Sequence, residues 1–269
     1  MDKRIKPAFS LVFLFLAVVI IFCSCSNAQT AYANGNYSLA VSRLSKIKDP
    51  TPSDLILKAR SYLALGESKK ALESLFLYLM SDPSSQNPDD RSYAVTYFIS
   101  ANTSDSLTVM AIRPEDGPDA MKALYRAYAR LNDTDNAKAM LSSLSAYLDF
   151  NSYISLMMSA PVDSAFMLDS FISWYSTIDS KEMDSFLSLL ARFSSETEMG
   201  EETAKKCLAL TDVLMADSYF TDNDLNLSVL LKIKGNVLEK LFDKVNARIY
   251  WTQALRLNPE DEELKGRLQ

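Results

Sequence analysis

The residues of this chain that could do chemistry fall into two runs of carboxylates and one cysteine. Glu196, Glu198, Glu201 and Glu202 form the first run, and Glu260, Asp261, Glu262 and Glu263 the second. A pair of carboxylates can serve as acid and base in glycoside hydrolysis. Both runs, however, stand at a loop or near a chain end, where acidic residues at a helix start complement its dipole. Neither run has an oriented partner, so both read as solvated charge rather than as a catalytic or metal site. Cys207 lies in AKKCLALTDVL beside Leu208 and Leu210 and reads as a buried structural thiol. The chain contains no histidine. That excludes every mechanism with an imidazole base, including Ser-His-Asp, Cys-His and the HExxH zinc site. No phosphate-binding glycine loop, dinucleotide fingerprint, CxxC or GxSxG pattern occurs. The expectation is a chain that is not an enzyme and carries neither cofactor nor metal.

Composition says what must position the remaining polar groups. Among 269 residues, 48% are hydrophobic and 23% charged, an ordinary globular balance. Six glycines and nine prolines are about half the usual share, which favours long helices over a many-stranded sheet. With 28 Lys and Arg against 34 Asp and Glu the net charge is −6, so nucleic acid is not an expected partner.

The first residues read MDKRIKPAFSLVFLFLAVVIIFCSC. Lys3, Arg4 and Lys6 form a positive flank, and Ala8 to Phe22 an apolar stretch with only Ser10 polar. This is the pattern of a secretory signal, and short for a membrane span. Positive residues ahead of the apolar run hold that end on the cytoplasmic side, so the rest of the chain is exported. Ser24-Cys25-Ser26 after the run resembles the lipobox of bacterial lipoproteins. The resemblance implies a signal peptide at 1–24, lipidation of Cys25 and a domain of about 245 residues tethered in the cell envelope. The tether would sit in the inner or the outer membrane and face the periplasm. An uncleaved signal anchor and a freely secreted product are the alternatives. With Cys25 lipidated, Cys207 is the only thiol left and no internal disulfide forms.

Comparison of the chain with itself shows a repeat. Residues 53–83 read SDLILKARSYLALGESKKALESLFLYLMSDP, and residues 229–259 read VLLKIKGNVLEKLFDKVNARIYWTQALRLNP. Each describes two amphipathic helices, a short turn, and a closing proline, Pro83 or Pro259. These segments resemble the tetratricopeptide repeat, a helix–turn–helix family of 34 residues. Ala59, Tyr62, Gly66, Ala71 and Pro83 occupy the family's small, aromatic, turn, small and closing positions. Gly235, Leu238, Ala247, Ala254 and Pro259 do so in the last copy, with Trp251 as the large residue. A third copy lies in 118–151, where Tyr128, Asn132 and Ala137 keep the spacing while Tyr125 stands at a position expected to be small. A partial copy carries Gly35 and Ala40, and the interval 84–117 is expected to hold a degenerate unit. Through 151–226 the repeat fades but helical periodicity persists, with breaks expected at Ala160-Pro161, at Ser194-Ser195 and over 221–224. The organisation expected is therefore repeats over 25–151, a divergent helical segment over 152–226, and a last repeat with a capping helix over 227–269. The fold class is all-α, a right-handed tetratricopeptide-like solenoid.

What this resemblance implies is a scaffold that binds a protein or peptide in a groove lined by first helices. The family's groove-facing offsets fall on Arg60, on Lys122, Arg126 and Arg130, and on Lys232, Asn236, Glu239 and Lys240. Six of these eight are basic in an acidic chain, so an acidic segment or a chain-terminal carboxylate is the expected guest. Lys232 with Asn236 resembles half of the carboxylate clamp of some members. Two narrower relatives are alternatives: a helical-repeat lipoprotein that binds a small solute for a transporter, and the lipoprotein of the outer-membrane protein assembly machinery. In the solute binder, Tyr125, Tyr128, Phe171 and Tyr175 would line the pocket.

Overall fold

A computed structural model describes residues 27–269, so Cys25 and the apolar segment before it lie outside the described residues. Among the described residues every regular element is helical. The helices cluster into two compact units, 27–116 and 117–269. The divisions expected after 151 and after 226 both fall inside the second unit.

The first unit holds two helix pairs, α1 (Asn27–Ala33) with α2 (Tyr37–Leu44) and α3 (Pro52–Ala64) with α4 (Ser68–Met80), followed by α5 (Pro88–Ser100) and the short α6 (Asp105–Ala111), which both pack on α4. These last two helices fill the interval expected to hold a degenerate unit. The second unit begins with α7 (Pro118–Arg130) and α8 (Thr134–Leu144). It continues through α9 (Phe150–Ser159), α10 (Ser164–Tyr175), α11 (Met183–Glu196), α12 (Glu201–Leu214) and the single turn α13 (Ser218–Thr221). It closes with α14 (Asp224–Lys240), α15 (Lys244–Leu257) and the short α16 (Glu262–Leu268).

Local chemistry sets these boundaries. Pro52, Pro88 and Pro118 each open a first helix, where a missing N–H costs nothing and the fixed φ is already helical. Thr51 and Asp54 close a reciprocal capping box ahead of α3, and Asn87 caps α5. The turns α1–α2, α3–α4, α5–α6, α7–α8 and α14–α15 each hold one residue at positive φ: Gly35, Gly66, Asn102, Asn132 and Phe242. In four of them the next N–H reaches back five residues, as in Glu67 to Tyr62 and Asp243 to Leu238, both 2.9 Å. This is the Schellman closure, which satisfies carbonyls left open at a helix end. The turns α9–α10 and α11–α12 have no such residue, which is why the repeat signature vanishes there while the helices continue.

One expected break is displaced by two residues. Helix α11 runs through Ser194 and Ser195, whose hydroxyls donate to carbonyls three residues back, and ends at Glu196, with the break over 197–200. The core of the second unit is aromatic: Phe150, Phe171, Phe186 and Phe193 are fully buried, with Phe171 and Phe193 ring centroids 5.5 Å apart. Helix α14 packs against α11, α12 and α15, so it is buried on nearly every side.

Phe242 is an outlier among the turn residues, since a bulky side chain at positive φ is strained by about 1–2 kcal/mol. Phe242→Asn, the residue type used at Asn132, is therefore expected to stabilise the fold by about 1 kcal/mol, read as a higher thermal midpoint. A lower midpoint would show that the phenyl ring makes contacts that offset the strain.

Candidate functional site

The expected groove residues divide between the two units, with Arg60 in the first and the others in the second. Lys122, Arg126 and Arg130 follow one another at four-residue steps along α7 and form a single basic row. Arg126 and Arg130 are exposed, and the half-buried Lys122 pairs with Asp119 at 3.0 Å, one turn earlier.

The corresponding row of α14 is committed to internal bonds. Lys232 reaches Asp261 at 2.9 Å and Glu263 at 2.7 Å, which ties the capping helix α16 to α14. Asn236 is only 2% exposed. Its amide nitrogen donates to Ser194 Oγ at 3.2 Å and its oxygen accepts the Trp251 indole N–H at 3.0 Å. Lys240 donates to the Thr197 carbonyl at 2.8 Å and closes the loop after α11. Glu239, on the same helix, accepts from Arg267 at 2.9 Å. In the first unit Arg60 donates to Asp90 at 2.6 Å and lies over the Tyr93 ring at 5.0 Å, fastening α3 to α5. The tertiary fold thus leaves Arg126 and Arg130 of α7 exposed and uses the expected groove residues outside that helix as struts.

The strut at Lys232 is pH-dependent. Burial opposes the charge on Asp261 and on Glu263, but hydrogen bonds from Lys232 outweigh it and hold both carboxyls below their usual range. Burial likewise opposes the Lys232 charge, and Glu263 and Asp261 override it and raise that group. The carboxylates, depressed in the folded state, add stability that is complete above an unfolded pKa of about 4 and is lost as pH falls through the folded values. Lys232, raised, adds stability that is present below about 10.4 and is lost as pH rises through its folded value. The melting difference between wild type and Lys232→Met is expected to be constant from about pH 5 to 9 and to shrink below about pH 4. A gap unchanged in acid would show that the lysine's methylenes, not its charge, matter.

Two buried residues carry roles that their spacing does not announce. Tyr125 is fully buried, and its hydroxyl donates to the Ala160 carbonyl at 2.6 Å and lies 3.2 Å from that of Met157. It closes the C-terminal end of α9, and burial pushes the phenol well above its ordinary range. Its misfit to the repeat was the only signal. Gly235 is required because a Cβ there would collide with the Trp251 indole ring.

The carboxylate runs lie around helix ends, with Glu196 closing α11 and Glu198 and Glu260 in the loops. Glu201 and Glu202 open α12, Asp261 caps α16, and Glu262 and Glu263 occupy its first turn. No cluster of His, Cys, Asp or Glu suited to a metal ion occurs among the described residues. Cys207 is fully buried, which pushes its thiol up to about 12. Of the aromatics a solute pocket would need, Tyr125 and Phe171 are fully buried in the core, and the Tyr175 hydroxyl bonds Asp217. A different recess of about 290 Å³ lies between α8, α9 and α10 and includes Tyr153, Phe166, Asp169 and Trp174. No helix among the described residues is long and apolar enough to cross a membrane.

No protein-family model and no curated protein matches the chain. Among solved structures it is similar to the C-terminal part of a TPR repeat-containing protein from Cytophaga hutchinsonii, with 14% identity over 92% of this chain and 87% of that one and a TM-score of 0.35.

Proposed function

We propose that this chain is a tetratricopeptide-like scaffold that holds a protein or peptide partner at a membrane outside the cytoplasm, with no catalytic role. The observation that carries the binding role is the basic row of α7, whose Arg126 and Arg130 are exposed. Such a row suits an acidic segment, because charge complementarity directs encounter and register. The lipobox-like Ser24-Cys25 supports the location: lipid on Cys25 would tether the chain in the cell envelope and raise its effective concentration for membrane-bound partners.

The test is cross-linking in intact cells followed by identification of the bound protein, repeated with Arg126→Glu/Arg130→Glu. The expected result is a stoichiometric envelope partner whose affinity falls about tenfold in the double variant. Recovery of the chain alone would sink the scaffold reading. A second reading rests on the recess containing Tyr153, Phe166, Asp169 and Trp174, whose size approaches that of small-ligand sites. It predicts thermal stabilisation by a small solute.

A further inference from the structure

The start of α15 carries the two most exposed large apolar residues of the described surface. Phe242, at the tip of the turn that leads into it, is 88% exposed, and Val245 and Ile249 are 74% and 47% exposed. These three follow at steps of three and four residues, so they form one apolar ridge opposite the buried Ala247, Trp251 and Ala254. Lys244, Arg248 and Arg256 are exposed on the same helix, and no carboxylate occurs anywhere in Lys244–Leu257. The nearest acid in sequence, Asp243, is taken up by the backbone N–H and side-chain amide of Asn246. Arg248 spends one N–H on the Leu268 carbonyl. A strained, exposed Phe stands where the other turns of this kind use Gly or Asn. Strain kept at an exposed position points to function.

From this face we infer that the last helix pair lies against an anionic lipid surface, with Phe242, Val245 and Ile249 entering the headgroup layer and Lys244, Arg248 and Arg256 meeting lipid phosphates. Among the described residues only α15 itself lines the open recess along Val245, Ile249, Thr252 and Arg256, so this face fits a flat, deformable surface better than a partner helix. A second copy of the chain is disfavoured because two such faces carry the same charge. The cationic face on an acidic protein is what a negatively charged bilayer attracts. The inference rests on the reading that the chain works at a membrane, but it concerns a surface far in sequence from the tether.

The test uses the purified full chain with benzoylphenylalanine in place of Phe242, mixed with vesicles of phosphatidylcholine alone or with added phosphatidylglycerol. Flotation reports the N-terminal tether, and the photo-adduct reports this face. Expected is a lipid adduct at position 242 that appears with phosphatidylglycerol and falls about fivefold for each charge removed in Lys244→Gln, Arg248→Gln and Arg256→Gln, while flotation persists. The same probe at Tyr147, exposed elsewhere in the second unit, is expected to stay unlabelled. Flotation without an adduct at 242, equal labelling at 147, or a protein adduct at 242 in cells each overturns the lipid contact and leaves the tether standing. Loss of flotation overturns the tether alone if the adduct remains.

Discussion

Replacing Tyr125 with alanine is expected to destabilise the second unit by about 3–5 kcal/mol, the range for deleting a buried aromatic ring. The residue is fully buried in the same core as Phe150, Phe171 and Leu141, and its hydroxyl serves the Met157 and Ala160 carbonyls at the end of α9. Two effects therefore add: a cavity between α7 and the following helices, and carbonyls stripped of their donor. Tyr125→Phe separates them. It keeps the ring and is expected to lose about 1–3 kcal/mol, the cost of leaving a buried acceptor unmet. Chemical denaturation of both variants measures the split. A Phe variant as stable as wild type would show that water replaces the hydroxyl.

Trp251→Ala is expected to cost a similar 3–5 kcal/mol, for a different reason. The indole fills the space that Gly235 leaves open on α14 and donates to Asn236, which in turn donates to Ser194 on α11. Removing it opens a cavity and leaves the buried Asn236 oxygen without its donor. Gly235→Ala attacks the same contact from the other side and is expected to lose about 1–3 kcal/mol by overpacking, although alanine is the better helix former. In a Trp251→Ala background the added methyl has room, so Gly235→Ala is then expected to be neutral or stabilising. Additive losses in the double variant would show that the Gly235 requirement is not steric relief of Trp251.

The helix pairs were legible in the sequence because their determinants are local. Turn glycines and asparagines, prolines at first positions and alanines at fixed offsets act within a few residues, so Gly66 with Ala71 and Asn132 with Ala137 identify pairs without tertiary knowledge. The fading through 151–226 was legible for the same reason: the turns α9–α10 and α11–α12 lack the positive-φ residue. Ser194-Ser195 marked the break only to within two residues, because serine's effect on a helix depends on where its hydroxyl finds an acceptor, and here the last turn of α11 supplies one.

The candidate site was legible only in part. Residue type and helical offset place Arg126 and Lys232 in equivalent rows, and nothing in the sequence distinguishes them. Tertiary packing does. Helix α14 is enclosed by α11, α12 and α15 while α16 brings Asp261 and Glu263 to Lys232, so that charge is spent internally. Arg126 lies on a face that packing leaves uncovered. Sequence alone determined the all-helical class, the acidic and histidine-free chemistry, and the pairing of neighbouring helices, because these depend on composition and on contacts within about 30 residues. Which basic residues face solvent, why Tyr125 replaces a small residue, and that the row Phe242–Val245–Ile249 stays exposed were decided by the tertiary structure. Each depends on where a distant segment comes to lie, and local spacing carries no information about that.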